Sequence, residues 1–197
     1  ATQNLDPIVE VSGLVKACAV NLMKISEDLR LLSSGPSGGI GEVVLPAVQE
    51  GSSIMPGKVN PVMCEFASQT ALLVIGYDGI VSHAAALGDL ELNQFMPLVS
   101  YLVLKEMFLL ELALTKFEQK VIRGLELDEG RISANLSESL AILTYLSVHI
   151  GHEAAARVYR IMQGDPRGIR EIVVDEGILT ASQYDELVSP ERVRMMG

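Results

Sequence analysis

The stretch from Pro97 to Gly124 sets the tightest limit on the fold. Leu102, Val103, Leu104, Met107, Phe108, Leu109, Leu110, Leu112 and Leu114 cover most of the circumference of a helix. A surface helix shows one apolar stripe, whereas a helix apolar nearly all round is buried on several sides. Lys105, Glu106 and Glu111 interrupt the run from Leu98 to Leu114, and a membrane span would carry fewer charges. The segment therefore belongs inside a helix bundle. At 197 residues the chain can bury a core of its own, but 49% hydrophobic residues exceeds what a small monomer needs. Part of the apolar surface is expected to meet other chains.

Two more long helical patterns precede this one. Asp6-Pro7 reads as a cap and first helical residue. Ile8, Val11, Leu14, Val15, Cys18, Leu22, Ile25, Leu29 and Leu32 then recur at helical spacing. That is about seven turns, stopped by Ser33-Ser34-Gly35-Pro36. A second pattern runs from Pro61 to about Leu87, with Gly88 as its stop. Gly76 and Gly79 inside it cost about 1 kcal/mol each and are expected to mark close approach of another helix. Between these patterns, from Gly35 to Pro61, no period survives. A loop of that length is functional or disordered, and Ile40, Val43, Val44 and Leu45 are too apolar for disorder.

After Gly124 the character changes. Residues 125–132 read as a charged linker. Short helices follow, punctuated by Ser137, Gly151, Gly164-Asp165-Pro166, a capping box from Thr180 to Gln183, and Ser189-Pro190. The expected fold is all-α. A long-helix bundle fills residues 1–130 and a small helical domain fills residues 131–197.

A net charge of −10 argues against nucleic acid and requires any anion site to be built locally. Cys18 and Cys64 form neither a disulfide framework nor a metal-ligand spacing, which points to a reducing, cytoplasmic setting with no metal or cofactor. The chain opens at Ala1-Thr-Gln-Asn4 and enters a helix almost at once, as expected of part of a longer protein.

The usable chemistry concentrates in Gly51-Ser-Ser-Ile-Met-Pro-Gly-Lys-Val-Asn-Pro61. Lys58 and Asn60 are two apart, so an extended segment points both to one side. A point charge beside an amide N–H suits a carboxylate. Backbone N–H groups after Ser52 can add a nest for an oxyanion. Composition alone leaves a second reading open, in which Gly-Ser-Ser is a turn and Lys58 a solvated charge.

The same eleven residues resemble, without a gap, the signature of the aspartase/fumarase superfamily. The resemblance covers essentially the whole chain. Leu29-Arg-Leu-Leu-Ser-Ser-Gly-Pro36, Gly41-Glu-Val-Val-Leu-Pro46 and Glu91-Leu-Asn93 resemble segments flanking that signature in aspartases and class II fumarases. Leu143-Thr-Tyr-Leu146, Ile150-Gly-His152 and Glu176-Gly-Ile-Leu-Thr180 resemble the small C-terminal domain of that branch. Gly57 and Val59 around Lys58 disfavour the argininosuccinate and adenylosuccinate lyases. Glu10-Val-Ser-Gly13, Leu31-Leu-Ser-Ser34 and Pro61-Val62 are aspartase-like, while Cys64-Glu65 and Glu91-Leu-Asn-Gln-Phe95 are more fumarase-like. Ser37 departs from both groups, which place Arg there.

The resemblance implies anti elimination releasing fumarate. L-aspartate is the first expected substrate and L-malate, as in class II fumarase, the second. By position, Ser52 would take the Cβ proton. Ser53 and the backbone at Ile54 and Met55 would hold the doubly charged aci-carboxylate. Lys58 and Asn60 would anchor a substrate carboxylate, and Glu65 would pair with a histidine from another subunit. Family active sites combine loops from three subunits of a homotetramer, so this chain alone is expected to be inactive. His83, His149 and His152 match no catalytic histidine of the family. The competing reading is a helical assembly module without catalysis.

Overall fold

The computed structural model describes residues 3–35, 38–49, 51, 53–55, 58–137, 139–189 and 192. They form two compact units, residues 1–128 and 129–197. The fold is all-α, as expected. Eight α-helices account for nearly all of the regular structure among the described residues.

The first unit is built on α1 (Asp6–Leu32), α2 (Val62–Ala85) and α3 (Met96–Lys120). The middle helix, α2, packs along both neighbours, while α1 and α3 touch far less. Buried positions on α2 include Cys64, Ala67, Ala71, Val74, Asp78 and Val81, and on α3 they include Val99, Val103, Glu106, Leu110, Ala113 and Phe117. Steps of three and four alternate on both helices, which is the 3.5-residue repeat of knobs-into-holes packing. On α1 the same repeat appears as Ser12, Ala19 and Ser26.

That seam corrects the reading of α1. Val11, Leu14 and Ile25 are exposed, and so is Cys18. Of the large apolar residues in the expected stripe, Leu22 is fully buried. Small side chains win the seam because they let helix backbones approach closely, and the large residues beside them are pushed outward. Gly76 and Gly79 behave differently from expectation: a Cβ on either would meet nothing within 4 Å in this chain. Many large apolar groups of α2 and α3 also remain exposed, among them Leu72, Leu73, Tyr101, Leu104 and Phe108.

Two apolar clusters fill the unit. One joins Ala19 and Leu22 to Cys64, Ala67, Ala71, Val74, Leu110, Ala113 and Phe117. The other joins Leu5 to Val81, Ala84, Val99, Leu102 and Val103. Between them along the helices lies a polar layer of Ser12, Asp78 and Glu106, all buried.

The helix ends differ from expectation by small, explicable shifts. Leu5 holds the N-cap position without a side-chain cap bond; the Asp6 N–H, already helical, donates to Asn4 Oδ1 at 2.8 Å. Buried Leu5 fixes that entry. Helix α2 stops at Ala85 because the Asn93 amide donates to the carbonyls of Ala84 and Ala85, both at 3.1 Å. Asn93 Oδ1 then accepts from the Phe95 N–H at 2.9 Å, just ahead of α3. One buried asparagine thus closes one helix and opens the next.

The loop between α1 and α2 carries β1 (Val43–Val44), which pairs antiparallel with β2 (Glu126–Leu127). Val43 faces Leu127 and Val44 faces Glu126. The Glu42 N–H donates to Leu32 O, and the Asp128 N–H donates to Glu42 O, each at 3.0 Å. This short ladder replaces part of the expected linker, and the remainder is taken by α4 (Glu129–Ser137).

The second unit contains α4, α5 (Leu140–Ile150), α6 (His152–Met162), α7 (Ile169–Asp175) and α8 (Ala181–Leu187). Leu146, Val158, Ile169, Ile172 and Val173 form its fully buried centre. Ser139 rather than Ser137 caps α5, and the Ser137 hydroxyl closes α4 on Ala134 O instead. Asp165 caps no helix; it accepts from the Arg167 N–H at 2.9 Å in a turn, and α7 begins only at Ile169. The Thr180 capping box forms as expected. Pro190 lies outside the described residues, so the start expected at Ser189-Pro190 does too.

Candidate active-site loop

Gly51 to Pro61 leads directly into α2, whose first residue is Val62. Its neck is closed by backbone. The Gly51 N–H donates to Lys58 O at 2.6 Å, and the Lys58 N–H donates to Met55 O at 3.2 Å. The Asn60 amide adds a side-chain bond to Gly51 O at 3.3 Å. A Cβ at position 51 would sit 2.6 Å from Lys58 O, so glycine is required by close approach of the two arms.

The closed neck holds the tip out in solvent. Ile54 is 86% exposed, and Ser53, Met55 and Lys58 are exposed too. Lys58 makes no ion pair with any described residue. Asn60 is half-buried at the neck. Ser52, Pro56, Gly57 and the divergent Ser37 lie outside the described residues.

Past the neck, the N–H groups of Cys64 and Glu65 donate to Pro61 O at 3.0 and 3.1 Å and start α2. Glu65 is exposed in this first turn, where a carboxylate also suits the positive end of the helix dipole. Cys64 points into the core, and burial, then the negative charges of Glu27 and Glu65, push its thiol up to about 11. It is a core residue, not a nucleophile.

Three anchors of this region were not legible in sequence. The β1–β2 ladder holds the upstream arm, and Pro46 beside it packs where a Cβ on Gly124 would come within 2.7 Å. The Ser68 hydroxyl on α2 donates to Glu27 Oε1 at 2.8 Å, and Arg30 grips Glu27 Oε2 through Nε and Nη2 at 2.9 and 2.7 Å. Ser68 first and Arg30 second hold the Glu27 carboxyl below the usual range. The i,i+3 spacing of Glu27 and Arg30 was the available signal for that pair. The third anchor is the Asn60 bond to Gly51 O.

His83 is not brought to the loop. His83 is eighteen residues along α2 from Glu65, about 27 Å at helical rise, and its Nδ1 lies 2.6 Å from Gly79 O. His149 meets the Tyr145 ring edge-on at 5.1 Å between centroids, and His152 opens α6; both belong to the second unit.

Residues 1–76 match the family described as Lyase, and residues 142–195 match the Fumarase C C-terminus. An all-α chain carrying both matches is of the helical lyase class. Class II fumarate hydratase of Bacillus cereus is 40% identical over 95% of this chain, and the match spans 41% of that relative. Aspartate ammonia-lyase of Bacillus subtilis is 39% identical over 100% of this chain and 42% of its own length. A crystal structure of a fumarate lyase:delta crystallin from Brucella melitensis superposes with a TM-score of 0.87 at 41% identity, covering 96% of this chain and 41% of the other. The chain belongs to the aspartase/fumarase superfamily, in its class II branch, and corresponds to the C-terminal portion of its members. It spans about two fifths of the length of these relatives. No helix among the described residues is long and apolar enough to cross a membrane.

Proposed function

We propose that these residues supply one loop of an elimination site in a longer lyase that converts L-aspartate to fumarate and ammonia. The observation that carries this is the pinched loop itself. Gly51 and Lys58 hold a short, solvent-exposed tip containing Ser53, Ile54 and Met55, and Lys58 is itself exposed at the neck. In this reading Ser52, as alkoxide, takes the proton from Cβ. The electron pair of the C–H bond first passes onto the adjacent carboxylate as the aci-carboxylate, and then forms the Cα–Cβ double bond as the C–N bond breaks and ammonia leaves.

Proton removal beside a carboxylate piles negative charge on that carboxylate, so donors aimed there lower the barrier most. Ser53 and the N–H groups of Ile54 and Met55 are assigned that task. Lys58 anchors a carboxylate by charge. Asn60 is the second anchor; to reach substrate it uses its remaining N–H or gives up Gly51 O, so it also ties ligand binding to the loop neck. Glu65 orients a histidine of another subunit. A serine hydroxyl is a weak base at neutral pH and needs a dry, donor-rich setting, which closure over substrate supplies.

The exposed apolar residues of all three long helices support assembly through these faces into a homotetramer that completes the site. Free Cys18 and Cys64 support a reducing, cytoplasmic setting.

A second reading is L-malate dehydration, favoured by the class II fumarate hydratase relative at 40% identity. The test uses the full-length polypeptide carrying these residues. Fumarate absorbance is followed with L-aspartate and, separately, L-malate. Aspartate turnover lost in Ser52→Ala supports the first reading, and malate turnover lost in that variant supports the second. Normal turnover in Ser52→Ala removes Ser52 as the base. Turnover of neither substrate leaves the assembly role.

A further inference from the structure

We propose that Glu106 is held as the neutral carboxylic acid and donates its proton to Ser12, which in turn donates to Asp78, making the polar layer of the three-helix core a buried site for one proton. The argument is a count of hydrogens. Ser12 Oγ lies 3.0 and 3.2 Å from the two oxygens of Glu106 and 3.1 Å from Asp78 Oδ1. A hydroxyl carries one hydrogen. It can serve Asp78 or Glu106 but not both. Were both carboxyls ionised, one carboxylate would press its lone pairs against those of Ser12 with no hydrogen between them.

Lys16 decides which carboxyl keeps the charge. Its Nζ lies 2.5 Å from Asp78 Oδ2, so Asp78 is the ionised partner. Glu106 is 0% exposed and has no hydrogen-bond partner among the described residues other than Ser12. The groups acting on it from the packed helices are Ser12 and Lys16 on α1 and Asp78 on α2. Burial is the largest influence and raises its pKa, and the Asp78 charge adds to the rise; the Ser12 bond and Lys16 oppose it. A buried anion with one shared cation and no donor of its own is costly, and taking up a proton removes that cost.

The layer sits where its protonation matters to the whole bundle. Apolar clusters lie on both sides of it along the helices, and its three members come one from each helix. Because the folded pKa is raised, the folded state holds a proton that the unfolded chain releases near neutral pH. Glu106 therefore contributes stability below its unfolded pKa, and that contribution is lost as pH rises through its folded pKa.

The test uses the full-length protein and needs no substrate. Infrared spectra in D2O at about pH 7 should show the C=O band of a buried protonated carboxyl. The band should vanish on unfolding at the same pH and be absent from folded Glu106→Gln. As pH rises above the ordinary glutamate range, the urea midpoint of the wild type should fall more steeply than that of Glu106→Gln. Absence of the band in the folded wild type overturns the proposal. So does a band that survives in Glu106→Gln and disappears in Asp78→Asn, which would put the proton on Asp78. If Glu106→Gln does not fold, Asp78→Asn decides: a band that persists there keeps the proton on Glu106, and a band lost there overturns the proposal.

Discussion

The polar layer of the core and the signature loop both gather hydroxyl and ammonium groups, yet they handle them in opposite ways. In the layer, Ser12, Asp78, Glu106 and Lys16 answer one another at hydrogen-bond distance inside a sheath of apolar side chains. In the loop, the backbone of Gly51, Met55 and Lys58 is spent on closing the neck while Ser53 and the Lys58 ammonium face solvent. A polar group satisfied within the chain is an internal fastening. A polar group held in place and left facing water is available to something from outside. Burial and partnership, rather than residue type, separate the structural cluster from the catalytic candidate.

The comparison breaks most decisively if loop residues govern stability or layer residues govern turnover. The largest expected effect is on the loop. In the full-length protein, Ser52→Ala should lower turnover by about 10²–10⁴-fold without moving the urea midpoint. On the layer, Asp78→Ala removes the partner of Lys16 and the acceptor that faces the Ser12 hydroxyl, and should cost about 3 kcal/mol of stability in urea denaturation. A stability loss below a tenth of that would mean the layer fastens nothing. Lys58→Ala removes one charged anchor, so kcat/KM should fall about 10–100-fold, chiefly through KM, again at constant midpoint.

The smallest contrast is the sharpest. Ser12 and Ser26 occupy equivalent seam positions two heptads apart, and both are fully buried. Ser12 is bonded to two carboxyls, whereas Ser26 Oγ has no hydrogen-bond partner among the described residues. Ser12→Ala should cost about 1–3 kcal/mol, while Ser26→Ala should change stability by less than about 0.5 kcal/mol or raise it slightly. Equal losses at the two positions would remove the distinction. As a control on burial, Cys64 should resist alkylation at about pH 8 until the protein unfolds.

The three long helices were legible because their apolar runs are far longer than chance allows, and Gly35-Pro36 and Pro61 bracket the loop between them. Which face of α1 turns inward was not. Counting large apolar residues selects Val11, Leu14 and Ile25, but close helix approach selects Ser12, Ala19 and Ser26. A sequence rule weighted toward hydrophobicity misses a seam made of small residues. The pairing of Val43 with Leu127 was equally out of reach, because a two-residue strand has no period and its partner lies far along the chain. In the loop, residue identities supplied the candidate chemistry, and Glu65 falls in the first turn of α2 as expected. The neck between Gly51 and Lys58 depends on a backbone approach that no side chain announces. Asn60 was read for what its amide offers a carboxylate, whereas in the structure that amide is engaged with Gly51 O.

The pinched neck also has an entropic meaning. A free peptide of this composition would sample many conformations, and a ligand ordering it would have to offset that lost freedom from its own contacts. With Gly51 and Lys58 already joined, much of that ordering occurs during folding and is charged to the stability of the protein. The ligand then meets a segment whose ends at Gly51 and Lys58 are already joined. Loosening the neck, for instance with Gly51→Ala, should therefore weaken binding of small dicarboxylates without removing a single group that touches them.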